Sequence, residues 1–332
     1  MRKDMLRRCV ITTVVLLAMA AMLFVTAELR AAGEWKPTKP IQFIAPYAPG
    51  GGSDILARSI AKIVESEKFS PQPLIVTNMP GGGTTIGTTS VSQAKGNTHM
   101  LLTFISAQVS APMTVGTAAA TYRDLTMISG LALDEQTIAV RKDFPFKTIK
   151  DVVEELKRKP NSLVVGGGGM GGEDQMCNRL LEKASGVKLR YVSFNSGGEC
   201  ITALLGGHVD MVWVNPAEFI PQYEAKTIRI IGVANEKRMA DFPEVPTFRD
   251  AGYDVTFKFF RGIAAPPGIP AETVAFYEKM MKQVSDSKAW KDNYLKRYML
   301  TPWYQSSKEF TKSVMQSEVV FREILKELGF VK

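Results

Sequence analysis

The stretch IQFIAPYAPGGGSD, residues 41–54, decides the fold of this chain. Its first five residues form an apolar β-run, and three consecutive glycines follow at 50–52. Apolar side chains then recur at helical spacing over residues 56–64, which predicts a helix capped by Ser53 or Asp54. A strand, a glycine-rich turn and a helix in this order are typical of a parallel sheet covered by helices.

Similar units recur along the chain in two sets, separated near residues 124–136. We therefore expect an α/β protein in which a middle domain, 134–254, is inserted into a split domain, 37–133 plus 255–330. Further strands are predicted at 74–76, 100–104, 137–140, 163–165, 191–192, 211–214 and 228–234. Further helices are predicted at 84–93, 148–160, 173–185, 199–205, 271–285 and 307–328, with a capping box at Thr148–Asp151, a stop at Gly186 and a cap at Ser307.

The first 27 residues have the order of a secretory signal peptide. Residues 1–8 are basic, residues 9–27 carry no charge, and the segment ends on small residues. We predict cleavage after Ala27 and a soluble mature chain in the periplasm. An uncleaved membrane anchor is the alternative, because 19 uncharged residues nearly span a bilayer.

The composition excludes several classes of protein. The 332 residues include 22% charged and 45% hydrophobic side chains, which is ordinary for a globular chain. The net charge of +8 is spread out, so no dense basic patch for nucleic acid is expected. Cys177 and Cys200 are either buried free thiols, which we favour, or a disulfide of the exported chain. Two such cysteines and two histidines make no credible metal site, and we expect no metal and no cofactor.

Four glycine-rich loops precede predicted helices, at 50–54, 80–85, 166–174 and 195–199. Glycine lets a ligand approach the backbone closely, and a helix start presents free N–H groups with partial positive charge. Such loops lie at the carboxyl ends of parallel strands, where ligands bind. One loop alone is a weak signal, but four loops in two sets favour an anion held between two lobes.

Motifs for catalysis are missing from the sequence. The glycines at 81–87 resemble a loose dinucleotide fingerprint, but no Asp or Glu occurs between Thr84 and Arg123 to hold a ribose. No phosphate-binding loop and no nucleophile elbow is found. His99 and His208 lie beside turns, and Asp54 and Asp210 fit a helix cap and a turn. We therefore expect a binding protein and no chemical step.

Several motifs, in order, resemble the substrate-binding proteins of tripartite tricarboxylate transporters, also called the Bug family. The resemblance spans about residues 38–330. It is carried by residues 45–54 with Arg58, 78–83 with 86–87, 191–198 with 203–210, 243–247 with 251–253, and 262–268.

The resemblance implies a two-lobed periplasmic-binding-protein fold of the Venus-flytrap type, with a mainly parallel sheet in each lobe. It also implies a monomer that closes on a small carboxylate or amino acid and then docks on two integral-membrane transporter components. In the first lobe it assigns ligand binding to Tyr47, Ala48, Gly51, Gly52, Ser53, Asp54, Thr84 and Thr85, and Ser106 should face the same cleft. In the second lobe it assigns ligand binding to Gly168, Gly171, Gly172, Asn195, Gly197, Gly198 and Asn215.

One departure from the family pattern concerns the third loop. Many relatives have Ser or Thr near position 172 and His near 175, whereas this chain has Gly172-Glu173-Asp174-Gln175. The two acids either stabilise a helix start or, with Glu199, pair with an amino group of the ligand. Arg58 is expected to be a structural partner of a carboxylate, and no arginine clamp on the ligand is expected.

Two other functions fit the same fold. An exported sensor subunit would carry the bound solute to a membrane kinase, and an enzyme on this scaffold would convert it.

Overall fold

The computed structural model describes residues 35–115, 120–169, 171–239, 242–257, 259–327 and 329–331. Pro37–Lys332 forms one unit, and Met1–Lys36 forms another, of which only residues 35 and 36 are described. The predicted signal peptide, residues 1–27, lies outside the described residues. Two β-sheets, each flanked by helices, organise the larger unit.

The first sheet contains six strands. They are β1 (Ile41–Ala45), β2 (Leu74–Asn78), β3 (Met100–Ile105), β4 (Thr126–Asp134), β10 (Phe259–Ala265) and β11 (Thr301–Gln305). Their order is β11-β4-β10-β3-β1-β2. β1 is parallel to β2 and β3, whereas β10 is antiparallel to β3 and β4, and β11 is antiparallel to β4.

The second sheet contains five strands. They are β5 (Thr137–Arg141), β6 (Val164–Gly167), β7 (Arg190–Ser193), β8 (Met211–Val214) and β9 (Ile228–Val233). Their order is β7-β6-β8-β5-β9. β6 is parallel to β7 and β8, and β5 is antiparallel to β8 and β9.

Nine helices of at least nine residues pack on these sheets in the described part of the chain. They are α1 (Gly52–Ser66), α2 (Thr85–Gln93), α3 (Ala107–Val115), α4 (Ile149–Arg158), α5 (Glu173–Ser185), α6 (Gly197–Leu205), α7 (Pro216–Glu224), α8 (Ala271–Asp286) and α9 (Ser307–Glu327). Short helical turns occur at Gly82–Thr84, Tyr122–Asp124 and Lys288–Trp290, and a π-helical segment at Lys291–Lys296.

The chain passes between the two sheets along two connections. β4 ends at Asp134 and β5 begins at Thr137, so two residues lead into the second sheet. The return runs from the end of β9 to Phe259 in β10. These connections make an α/β protein of two lobes, as expected. The expected boundaries of the lobes, 37–133 with 255–330 and 134–254, stay a prediction.

The expectation of mainly parallel sheets is wrong, because both sheets are mixed. Parallel pairing is confined to β1 with its neighbours and β6 with its neighbours. β4 leaves the first lobe and β10 returns to it, so these adjacent strands run in opposite directions. The two-way passage of the chain between the lobes therefore gives each sheet an antiparallel part.

The local signals for α4 and α5 are confirmed. The Thr148 hydroxyl accepts a hydrogen bond from the backbone N–H of Asp151 at 3.2 Å, and the Asp151 carboxylate accepts one from the N–H of Thr148 at 2.9 Å. Gly186 ends α5 with a φ of 72°, a left-handed conformation that glycine adopts without strain. Both termini follow from residues within one turn of the helix end.

Two predicted caps are wrong. α1 begins at Gly52 with no side-chain cap, because the Asp54 carboxylate accepts hydrogen bonds from the N–H of Gly50 and from Arg58 instead. The Ser307 hydroxyl donates to the Met127 carbonyl at 2.7 Å. Arg58 is a structural partner of a carboxylate, as predicted.

Cys177 on α5 and Cys200 on α6 are buried free thiols, which confirms the favoured expectation. Among the described residues, no helix combines the length and apolar character that crossing a bilayer requires.

Candidate functional site

A small cavity lies between the two lobes and has a volume of about 40 Å³. A buried water needs about 10–15 Å³ of such space, so this cavity accommodates about three. A solute of amino-acid size therefore requires the lobes to separate. The lining residues are Tyr47, Gly52, Ser53, Ile105, Asp134, Phe259, Phe260 and Arg261 from the first sheet's lobe, and Gly168, Gly172, Glu173, Asp174, Gly197, Asn215 and Glu218 from the second.

A buried ion pair on the two connecting strands forms one wall of this cavity. Arg261 in β10 donates from Nε to the Asp134 carboxylate at 2.6 Å, and the two side chains are 4% and 1% exposed. Burial raises the pKa of Asp134, and the guanidinium opposes that rise. Burial alone would lower the pKa of Arg261. The negative charge of Asp134 opposes that effect, and the pKa lies above its usual value, so the guanidinium stays charged. The arrangement fixes a charged pair where the chain passes between the lobes.

Two further acids enter the cavity from the start of α5. The Glu173 carboxylate accepts a hydrogen bond across the lobes from the N–H of Ala107, the first residue of α3, at 2.7 Å. Burial raises the pKa of Glu173 to about 7. Asp174 accepts hydrogen bonds from the N–H of Gly168 and from Gln136. Burial, together with the charge of nearby carboxylates, raises the pKa of Asp174 well above its usual range.

Glu218 on α7 is the fourth acid of the cavity. One carboxylate oxygen accepts from the N–H of Gly52 in the opposite lobe at 2.8 Å, and the other accepts from the N–H of Asn215 at 3.0 Å. Burial raises the pKa of Glu218. A Cβ at Gly197 would overlap the Glu218 carboxyl group, so glycine is needed at this close approach.

The N–H groups expected to lie free at the glycine loops are occupied in this structure. Gly52, Gly168 and Asn195 donate to carboxylates of the protein, and Gly171 donates to the side chain of Gln175 at 2.8 Å. The expectation of open N–H groups is therefore wrong at these four positions. The physical reason is that the chain supplies its own carboxylates to the same helix starts.

The aromatic ring and hydroxyl groups of the first lobe complete the lining. Burial raises the pKa of Tyr47 well above its usual value, and the negative charges of Glu173, Asp174 and Glu218 add to that rise. The Ser53 hydroxyl is buried, with 1% of the residue exposed, and has no hydrogen-bond partner. The cavity thus combines an acidic wall with an unsatisfied hydroxyl.

Seven of the residues predicted from the sequence line this one cavity. Asn215 lies there with its amide donating to the Glu135 carbonyl and to Gln136, at the connection between the sheets. That these seven residues contact a ligand stays a prediction. The seven are Tyr47, Gly52, Ser53, Gly168, Gly172, Asn215 and Gly197.

Five predicted residues lie in contacts between the lobes instead of on the cavity lining, and four of them are on facing loops. The N–H of Ala48 donates to the Asn195 carbonyl at 3.1 Å. A Cβ at Gly51 would lie 3.0 Å from that of Ser196. Gly198 packs against the Gly50 backbone. The loops around Ala48, Gly51, Asn195 and Gly198 therefore touch one another across the cleft.

Gly171 and the remaining four predicted residues do not line the cavity. The Ser106 hydroxyl accepts from the N–H of Phe260 at 3.0 Å. Thr84 is buried with a φ of 89°, and the Thr85 hydroxyl donates to the Gly82 carbonyl at 2.8 Å. Gly171 is the fifth residue between the lobes, because it has a φ of 75° and packs against Thr114 on α3 of the first lobe. Asp54 pairs with Arg58 at 2.8 Å.

Asp134, Arg261 and Glu218 were not found by sequence reasoning. Each had a signal: Asp134 ends an apolar run, Arg261 interrupts another, and Glu218 is the fourth residue of an Asn-x-x-Glu capping box. A charged residue inside an apolar run is expected to be buried with a partner. Glu199, considered with Glu173 and Asp174, does not line the cavity and accepts from the N–H of Asn195 at 3.0 Å. The described residues contain no group of three or more His, Cys, Asp or Glu side chains placed to hold a metal ion.

A family profile described as "Tripartite tricarboxylate transporter family receptor" matches residues 56–330. The chain belongs to this receptor family. The resemblance stated from the sequence is thereby confirmed. A relative from Cupriavidus necator, the "UPF0065 protein in gbd 5'region", is 27% identical over 315 residues, which cover 95% of each chain.

Solved structures of receptors share the fold. The periplasmic binding protein BugD is 24% identical with a TM-score of 0.83, covering 89% of this chain and 99% of that one. MatC from Rhodopseudomonas palustris, solved with bound malate, is 23% identical with a TM-score of 0.80, covering 87% and 99%. At these identities, the similarity shows the fold alone. It confirms the prediction that this chain has the two-lobed fold of periplasmic binding proteins.

Proposed function

We propose that this chain is an exported receptor that captures a small carboxylated solute between its two lobes and delivers it to a membrane transporter. The observation that carries the proposal is the cavity between the lobes, lined by residues from the starts of α1, α5, α6 and α7. Membership of the transporter receptor family and the malate held by MatC support the same conclusion.

The contacts between the lobes explain how a carboxylate would bind. Glu218 and Glu173 of the second lobe occupy the N–H groups of Gly52 and Ala107 in the first. These N–H groups start α1 and α3, where the helix dipole favours negative charge. When the lobes separate, both N–H groups become available. A solute carboxylate then takes the place of a protein carboxylate on the same donors, and closure removes it from water.

Membership of the transporter receptor family supports a role in delivery. The chain acts in the periplasm as a monomer and performs no chemical step. The loaded, closed form presents the joined surfaces of both lobes to two integral-membrane components. Opening of the lobes at that surface would move Glu218 away from Gly52 again and release the solute.

A thermal-shift screen tests the capture step. The purified chain is heated with mono-, di- and tricarboxylates, amino acids and neutral solutes. A ligand at about 100 times its Kd adds about 2.7 kcal/mol of stability and raises the Tm. The Gly52→Ala variant, whose new Cβ would lie 2.5 Å from Arg261 Nη1, should lose this shift. A Glu182→Gln variant, changed in α5 but outside the cavity, should keep it.

Two outcomes would contradict the proposal. If neutral or purely cationic solutes raise the Tm and every carboxylate leaves it unchanged, the carboxylate assignment fails. If no solute class raises it, the receptor assignment fails. Delivery is tested separately by uptake of the labelled ligand into cells with and without the gene, where equal uptake would refute transport.

A further inference from the structure

The cavity contains more carboxyl groups than its own cation can neutralise. Asp134, Glu173, Asp174 and Glu218 all line it, whereas Arg261 alone among the lining residues carries positive charge. Arg261 directs both Nε and Nη2 to Asp134. The three other carboxyl groups are held by hydrogen bonds from backbone N–H groups and an amide side chain. These donors stabilise a carboxylate but give it no ion-pair partner, and the charge of Arg261 acts on Glu173 and Glu218 without a hydrogen bond to either.

Helix capping does not account for this surplus. A single acid at the start of α5 would stabilise the helix, and Glu218 does the same for α7 through Asn215. Capping, however, is achieved equally well by an acid that faces solvent, as Glu199 does at the start of α6. Three acids without an ion-pair partner around one buried cavity raise one another's pKa. A cationic group of a ligand placed beside these acids would favour their charged forms.

An independent observation on the opposite wall points to a ligand. The Ser53 hydroxyl is buried and has no hydrogen-bond partner, although it lines the same cavity. Buried polar groups in proteins are nearly always hydrogen-bonded, and among the unpartnered ones of the described residues Ser53 lines this cavity, where a bound molecule can supply the partner. Ser53 lies in the first turn of α1, beside the N–H of Gly52. The two walls therefore differ: one offers carboxylates and the other offers donors for an anion.

We propose that the solute carries a primary ammonium group, bound by Glu173, Asp174 and Glu218, in addition to a group bound at Ser53. An ammonium has three donors and a compact charge, which suit the carboxyl acceptors that the second lobe contributes to the cavity lining. The inference rests on the proposed function and names the solute class of that site. Amino acids and simple amines share the ammonium group, and the donors around Ser53 favour the amino acid.

Matched solute series separate the possibilities. Alanine is compared with propionate and ethylamine, glutamate with glutarate, and leucine with 4-methylpentanoate and 3-methylbutylamine. Affinities of the purified chain are measured by calorimetry after a thermal-shift screen. We expect at least one amino acid to bind tenfold or more tightly than its deaminated counterpart. Tighter binding of the amine than of the amino acid would show that the site recognises the ammonium group and not the carboxylate.

Isosteric variants then assign the contact. Asp174→Asn and Glu173→Gln should each weaken binding of the best amino acid at least tenfold and change binding of its deaminated counterpart less than twofold. Glu182→Gln, on the same helix and also buried, should change neither, because its carboxylate faces Arg179 and Lys188. Asp174→Asn and Glu173→Gln each replace a carboxyl group with an amide of the same shape, so both variants are expected to fold.

Three results would overturn the inference. If the inference holds, propionate binds more weakly than alanine and glutarate more weakly than glutamate. Equal or tighter binding of either carboxylate contradicts the inference. The inference also fails if no amine-bearing probe binds, or if Asp174→Asn and Glu173→Gln bind amino acids normally. In the first and third cases the receptor function survives, whereas binding of no solute of any class would remove the proposed function itself.

Discussion

Replacing Arg261 with glutamine should be among the most destabilising single changes in the chain. Asp134 would lose the guanidinium that donates to it at 2.6 Å, in a place where its side chain is 1% exposed. Breaking a buried ion pair by removing one partner costs about 3–5 kcal/mol, because the remaining charge is buried without compensation. For a chain of this size, each kcal/mol lowers the Tm by about 2–4 °C, so the expected loss is about 6–20 °C.

The pH dependence of this loss has a definite sign. Burial already raises the pKa of Asp134 in the folded chain, and removing Arg261 raises it further. A carboxyl group with a raised pKa in the folded state stabilises the fold below its unfolded pKa, and this stability is lost as the pH rises. The destabilisation of Arg261→Gln should therefore be small near pH 4 and grow toward pH 8.

Urea unfolding followed by circular dichroism at pH 4, 6 and 8 measures these differences. The double variant Asp134→Leu with Arg261→Met should recover most of the loss, because apolar side chains of similar size replace both charges. Arg249→Gln breaks an exposed pair with Asp254 and should change stability by less than about 1 kcal/mol. A loss below about 1 kcal/mol for Arg261→Gln, or a double variant no more stable than the single one, would refute this reasoning.

Three further changes have expected outcomes. Ser53→Ala should leave the unfolding free energy unchanged or raise it by about 1 kcal/mol, because the buried hydroxyl has no partner. Calorimetry should show about tenfold weaker solute binding, and unchanged affinity would contradict a contact between the Ser53 hydroxyl and the solute. The raised pKa of Glu173, about 7, should lower stability by up to about 3 kcal/mol between pH 4.5 and pH 7, and Glu173→Gln should remove that slope in urea unfolding; an identical slope would contradict the assignment. Gly197→Ala should displace the Glu218 carboxyl and weaken solute binding in calorimetry, and binding equal to that of the unchanged chain would show that Glu218 need not hold its position.

The repeating units were predictable because their signals are local. The apolar run, the glycines and the helical spacing of residues 41–64 lie within a few turns of one another, and β1 and α1 form there as expected. The capping box of α4 and the glycine stop of α5 are equally local. Such signals do not depend on the rest of the chain.

The connecting strands were missed because their identity depends on distant partners. β4 and β10 pair with each other across more than 120 residues, and neither is followed by a glycine-rich turn and a helix as β1, β2, β6 and β7 are. The contact between Gly52 and Glu218 joins residues 166 apart in sequence. Sequence reasoning identified the glycine loops and the acids Glu173, Asp174 and Glu199 but not Glu218, since the match of Glu218 with Gly52 arises only when the lobes come together.

A crystal structure of the chain with the strongest ligand of the thermal-shift screen tests the central claim most directly. We expect the solute between the lobes, with one polar group within hydrogen-bond distance of the Ser53 hydroxyl and another beside the carboxylates of Glu173 and Asp174. A solute bound to one lobe alone, or on the outer surface while the cavity keeps its contacts between Gly52 and Glu218, would contradict the account.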